Sequence, residues 1–144
     1  MYKGEYSHNI DAKGRVTIPA KLRDGLGDDF VITKGVDGCL IVLDAAQWGR
    51  LDEIIKPLPG MTNEEVRLLK RVMVAGACDG EVDKQGRMLI PGNLREYASL
   101  EKEVIFAGVG DYVELWDKSS YDAMMAGIDM KSVMKKLEES GFAL

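Results

Sequence analysis

Residues 11–23, Asp11-Ala-Lys-Gly-Arg15-Val-Thr-Ile-Pro19-Ala-Lys-Leu-Arg23, return as residues 83–95, Asp83-Lys-Gln-Gly-Arg87-Met-Leu-Ile-Pro91-Gly-Asn-Leu-Arg95. Seven of the thirteen positions are identical: Asp, Gly, Arg, Ile, Pro, Leu and Arg. Agreement at a fixed offset, here seventy-two positions, marks an internal repeat. Each copy of the stretch also spells out a local path. The aspartate opens a turn by accepting backbone amides, and the glycine takes the positive φ of a tight reversal (Gly14 and Gly86). A short strand then runs from the arginine to the isoleucine. Proline ends that strand, having no N–H for the ladder, and suits the first turn of a small helix.

The echo continues outward. Residues 31–44, Val-Ile-Thr-Lys-Gly-Val-Asp-Gly-Cys-Leu-Ile-Val-Leu-Asp, match residues 104–117, Val-Ile-Phe-Ala-Gly-Val-Gly-Asp-Tyr-Val-Glu-Leu-Trp-Asp, at an offset of seventy-three. One residue is therefore inserted between the two blocks, in the connection after Leu94. Trp48 and Tyr121 recur four residues past the aspartates. The chain reads as two tandem copies of one unit, residues 1–72 and 73–144.

In the first copy a strand is expected over residues 3–10, then a strand over 15–18 and a helix over 20–26 stopped by Gly27. A hairpin joins 30–33 to 40–43. Asp44-Ala-Ala-Gln47 is a capping-box pattern for a helix carrying Trp48, Leu51, Ile54 and Ile55 on one face, broken by Pro57 and Pro59. Thr62-Asn-Glu-Glu65 is a second such box, with Val66, Leu69, Val72 and Met73 striping a helix that reaches Gly76 and joins the copies. The second copy repeats the plan: strands near 77–82 and 87–90, a helix over 92–98, a hairpin of 103–107 with 112–116, and helices around 119–125 and 131–138. Met124, Met125, Met130 and Met134 fall on the apolar face of those last helices, in the core or at a subunit contact.

This is a mixed β/α plan. A unit of about seventy residues lies near the lower limit for a single hydrophobic core. The copies are expected to share a core, or to bury faces on neighbouring chains. Intertwining or assembly would also cover the exposed strand edges that each copy has alone. No apolar run is long enough to span a bilayer, and Met-Tyr-Lys-Gly-Glu-Tyr lacks the apolar stretch of a signal peptide, so a cytoplasmic location is expected.

Net charge is −5, which argues against indiscriminate nucleic-acid binding, but its distribution is uneven. Residues 1–72 carry eleven bases and eleven acids, whereas residues 73–144 carry eight and thirteen. Within residues 1–23 the bases Lys3, Lys13, Arg15, Lys21 and Arg23 face only Glu5 and Asp11, a local excess of +3. Positive charge is concentrated at the first motif.

Enzyme signatures fail inspection. There is no phosphate-binding Gly-x-x-x-x-Gly-Lys loop, no Gly-x-Ser-x-Gly elbow and no His-Glu-x-x-His helix. Gly108-Val-Gly110 lies in a hairpin turn and lacks the third glycine of a nucleotide fingerprint. His8 is the only histidine and its counterpart is Gly80, so a structural role is expected. Cys39 and Cys78 align with Tyr112 and Tyr6, not with each other, and do not make a zinc site. Both are expected to be buried and reduced. No cofactor and no metal are expected.

The two turns admit two interpretations. In one, Asp11 and Asp83 merely cap their turns and pair with Arg15 and Arg87. In the other, the turns also project Lys13, Arg15, Lys84 and Arg87 at phosphates or base edges, a task that suits the planar fork of arginine.

Taken together, Tyr-Lys-Gly-Glu-Tyr near the start, the motif Asp11-Ala-Lys-Gly-Arg15 with Ile18-Pro19, Asp83-Lys-Gln-Gly-Arg87 and Glu114-Leu-Trp-Asp117 resemble bacterial MraZ over essentially the whole chain. The resemblance implies a double copy of the swapped-hairpin, SpoVT-AbrB-like β-barrel fold with flanking helices, the copies related by a pseudo-two-fold. It implies a transcriptional regulator that binds double-stranded DNA at short direct repeats upstream of its own gene in the division and cell-wall gene cluster, and so a nucleoid-associated protein. It implies a ring-shaped homo-oligomer, an octamer being expected. Carried over by position, Arg15 and Arg87, with Lys13 and Lys84 and supported by Lys3 and Lys21, would face DNA, on turns built by Asp11, Gly14, Asp83 and Gly86. The copies differ: Lys13 matches Gln85, and Lys84 stands one position earlier, near Asp79 and Glu81. Arg15 is therefore ranked above Arg87. The rival class is a ring scaffold whose motif arginines bridge subunits and bind no specific DNA.

Overall fold

The computed structural model describes residues 1–142. The first copy contains strands β1 (Tyr2–Asn9) and β2 (Arg15–Thr17), helix α1 (Ala20–Leu26), strands β3 (Val31–Lys34) and β4 (Leu40–Leu43), and helices α2 (Ala45–Ile55) and α3 (Glu64–Leu69). A π-helical turn, Lys70–Val74, continues α3. The second copy contains β5 (Cys78–Asp79), β6 (Arg87–Leu89), α4 (Gly92–Tyr97), β7 (Glu103–Gly110), β8 (Val113–Asp117), α5 (Lys118–Ala126) and α6 (Met130–Glu139).

Every strand pair is antiparallel. Six strands form one sheet in the order β1-β7-β8-β4-β3-β5, and β2 and β6 form a separate two-stranded ribbon. The copies exchange strands. β1 lies along the whole of β7, from Tyr2 opposite Gly110 to Asn9 opposite Glu103. β5 returns the exchange by pairing with β3, at Val31–Asp79 and Ile32–Cys78. With counterparts interchanged at the repeat offset (β1 for β5, β3 for β7, β4 for β8), the sheet order read backwards is the same order.

One core belongs to both copies. Val16 and Ile18 of the first motif meet Met88 and Ile90 of the second, joined by Leu22, Leu94, Phe30, Ile32, Val42, Phe106 and Leu115. A smaller cluster on the other side of the sheet holds Cys39, Ile41, Leu43, Ile105, Trp116 and Tyr121, with Trp48 and Leu51 of α2 against it. Strands β3 and β4 thus bury successive residues on opposite faces, which is why they read as unbroken apolar runs.

Several expectations are corrected. The N-cap of α3 is Asn63, whose side chain accepts from the Val66 amide at 3.0 Å, and not Thr62. Asn outranks Thr in that role. The helix read as continuous to Gly76 widens into the π-helical turn, where the Ala75 amide reaches back to the Lys70 carbonyl and the buried Thr33 hydroxyl donates to the Met73 carbonyl. Ile54 is 65% exposed, because one position is about 100° around a helix and Ile55 takes the inward side. The strand expected over residues 77–82 shortens to two residues plus an isolated bridge from Val82 to Met88. Cys78, on that short strand, is half-buried, unlike Cys39.

Candidate nucleic-acid interface

The two motif turns have one construction. Asp11 Oδ1 accepts from the amides of Lys13 (3.0 Å) and Arg15 (2.9 Å), while Oδ2 accepts from Arg15 Nε at 2.8 Å. Asp83 does the same with the amides of Gln85 and Arg87, each at 2.9 Å, and with Arg87 Nε at 2.8 Å. The reversal is closed by Gly14 donating to the Asp11 carbonyl and Gly86 to the Asp83 carbonyl, with φ of +86° and +76° at the glycines. Such φ values are nearly free only for glycine. Backbone donation from Arg15, followed by its side chain, holds Asp11 below the ordinary carboxylate value of 3.8; Arg87 does the same to Asp83.

The ribbon fixes where the arginines stand. In β2 and β6, Arg15 is opposite Leu89, Val16 opposite Met88, and Thr17 opposite Arg87. Val16 and Met88 are buried, so the alternation of a strand puts Arg15, Thr17, Arg87 and Leu89 on the outer face. Arg15 and Arg87 are diagonal neighbours there, about 7–8 Å apart by that pairing. Their side chains are 36% and 28% exposed. Each spends Nε on its own aspartate, and among the described residues the Nη groups of both make no hydrogen bond. The free edge of each guanidinium can therefore take a two-point acceptor such as a phosphate or the O6/N7 edge of guanine.

The remaining candidates are placed unequally. Lys13 and Lys84 are exposed on the turns themselves. Lys21 is exposed at the start of α1, just past the ribbon. Lys3 sits near the far end of β1, six positions before Asn9 along an extended strand and so about 20 Å from the turn. The fold does not bring it to the other five.

Two arginines outside that set come to the turns instead. Arg95, on α4, lies over Gly14; a Cβ there would stand 2.8 Å from its Nε. Arg23, on α1, lies over Gly86, where a Cβ would collide with its Nη1. The signal was present, since this arginine closes the motif identically in both copies. Which turn each reaches depends on how the copies are entwined.

Among the described residues no group of three or more His, Cys, Asp or Glu side chains could hold a metal ion, and no helix is long and apolar enough to cross a membrane. A family model described as "MraZ protein, putative antitoxin-like" matches the chain twice, over residues 1–71 and 73–140. The chain is 53% identical over 129 residues to a protein of Lachnoclostridium phytofermentans named transcriptional regulator MraZ, covering 86% of this chain and 90% of that one. Proteins of the same name from Acetivibrio thermocellus and Clostridium beijerinckii are 48% and 46% identical, each match covering 98% of this chain and 99% of the relative.

Proposed function

The chain belongs to the MraZ family, and from that premise we propose that it is a sequence-specific, DNA-binding transcriptional regulator whose contact face is the β2–β6 ribbon with its two turns. The observation that carries this is the shared outer face of Arg15 and Arg87, each fixed through Nε with its Nη edge free. A two-stranded ribbon fits the major groove, about 12 Å wide, and the arginine spacing corresponds to about two base-pair steps. Lys13 and Lys84, with Lys21 beside the ribbon, serve phosphates and fix register; the arginines read bases. Lys3 adds positive potential from a distance. The site acts at direct repeats upstream of the chain's own gene in the division and cell-wall cluster, and the protein works in the cytoplasm on the nucleoid. It performs no catalysis.

The two units, residues 1–72 and 73–144, form a swapped-hairpin barrel around a pseudo-two-fold. The strand exchange and the reversible sheet order support this. Assembly into a ring, an octamer, repeats the basic face around a rim, so that weak single contacts sum across successive DNA repeats through effective concentration. The apolar side of α6, with Met130, Val133 and Leu137 exposed, supports assembly. The scaffold alternative, in which the motif arginines bridge subunits, is disfavoured because each already pairs inside its own turn.

The test is fluorescence anisotropy on a duplex from upstream of the coding sequence, across a salt series, with particle mass followed by light scattering. Wild type should bind tightly and lose affinity steeply with salt. Arg15→Ala should weaken binding at least tenfold at unchanged mass, and Arg87→Ala less. Equal binding to scrambled DNA, or an Arg15→Ala protein that dissociates, would favour the scaffold.

A further inference from the structure

We propose that each DNA-contacting turn is completed by the arginine that closes the other copy's motif: Arg95 belongs to the site of Lys13 and Arg15, and Arg23 to the site of Lys84 and Arg87. The proposal rests on the DNA-binding reading above and divides that face into two composite halves.

The geometry for the first half is specific. The Gly14 carbonyl accepts from the Ile90 amide at 2.8 Å, and Arg95 Nε donates to the Ile90 carbonyl at 3.0 Å. Arg95 is thereby tied to the point where the two copies cross. It lies against Gly14, between Lys13 and Arg15 in the sequence, with Cζ only 3.0 Å from where a Cβ would stand. In the second half the Gly86 carbonyl accepts from the Ile18 amide at 3.1 Å, and Arg23 covers Gly86. The glycines are thus required twice, for their positive φ and for the flat approach of a guanidinium.

Electrostatics supplies the reason for the placement. Among the described residues neither Arg23 nor Arg95 forms a salt bridge, while the one carboxylate of each turn is bonded to the turn's own arginine. Three cations therefore gather at each turn around a single aspartate that already accepts three hydrogen bonds within the turn. A cluster whose cations outnumber the turn's own carboxylate is stabilised by an incoming anion, and the phosphate row of a duplex provides one. An arginine, unlike a lysine, offers two parallel donors to it from a fixed plane. The halves are not equal. Arg95 is half-buried and held by Ile90, whereas Arg23 is exposed and carries no such bond among the described residues.

The experiment is a double-mutant cycle in the same anisotropy assay, using Ala or Gln at Arg15, Arg23, Arg87 and Arg95. Arg95→Ala alone should weaken binding about tenfold and flatten the salt dependence by about 0.9 in log–log slope for each phosphate it no longer neutralises, a change that a purely structural role would not produce. Arg95→Gln, which keeps a donor for the Ile90 carbonyl, should show the same flattening if the alanine variant is unstable. The crossed pairs Arg15 with Arg95, and Arg87 with Arg23, should be non-additive; the within-copy pairs Arg15 with Arg23, and Arg87 with Arg95, should be additive. Arg95→Gln binding with wild-type affinity and slope, or coupling confined to the within-copy pairs, would overturn the proposal while leaving the regulator intact. A wild-type protein with no salt-sensitive preference for the duplex would overturn the regulator reading itself, and this one with it.

Discussion

At Asp11 and Asp83 a carboxylate accepts two backbone amides and a guanidinium, and both groups titrate below 3.8. A carboxylate lowered in the folded state contributes stability that is present above its unfolded value and lost as pH falls through the lower folded value. Urea midpoints taken between about pH 5 and pH 3 should therefore drop more steeply for wild type than for an Asp11→Asn, Asp83→Asn protein. Equal slopes would refute the turn bonds as the source. At Cys39, burial first and then the Glu114 carboxylate push the thiol up to about 12. Iodoacetamide at mildly alkaline pH should label half-buried Cys78 first and leave Cys39 unlabelled until the chain unfolds, as read by intact mass. At this scale the Asp-to-Arg pairing was legible, being a four-residue local contact. The Arg95–Gly14 approach was not, because it joins residues of different copies.

The ribbon is the element on which the candidate site depends, and it is short. Three residues from each copy pair, and only Val16 and Met88 point inward. Met88→Ala should cost about 2–5 kcal/mol, since the side chain is fully buried where the copies meet. Gly14→Ala combines a left-handed φ with a Cβ against Arg95 and the Ile90 carbonyl. The conformation alone should cost about 1–2 kcal/mol, measurable by urea denaturation, and DNA affinity should fall with it. Strands, hairpins and most helices were legible from turn residues and apolar spacing. The π-helical turn was not: over five residues the hydrophobic spacing cannot separate a widened turn from an α-helix. Nor was the brevity of β5, two residues where the counterpart edge strand β1 has eight.

For the whole molecule the repeat was legible from the motif, and the shared core is one of the two outcomes expected of units near the lower limit of size, the other being burial on neighbouring chains. Beyond the two hairpins the partner of each strand was not legible, because residue patterns specify faces and turns rather than long-range neighbours. The apolar side of α6 faces no core among the described residues. If it is the contact between copies, Val133→Asp combined with Leu137→Asp should lower the particle mass in light scattering while leaving the melting temperature nearly unchanged. The exchange of β1 into the second copy also has a bearing on synthesis. Tyr2–Asn9 is translated before its partner Glu103–Gly110 by roughly a hundred residues. At ordinary elongation rates of about 5–20 residues per second, the nascent strand waits on the order of 5–20 s with its backbone donors and acceptors in water. Neither half can complete its part of the sheet before the other has been made.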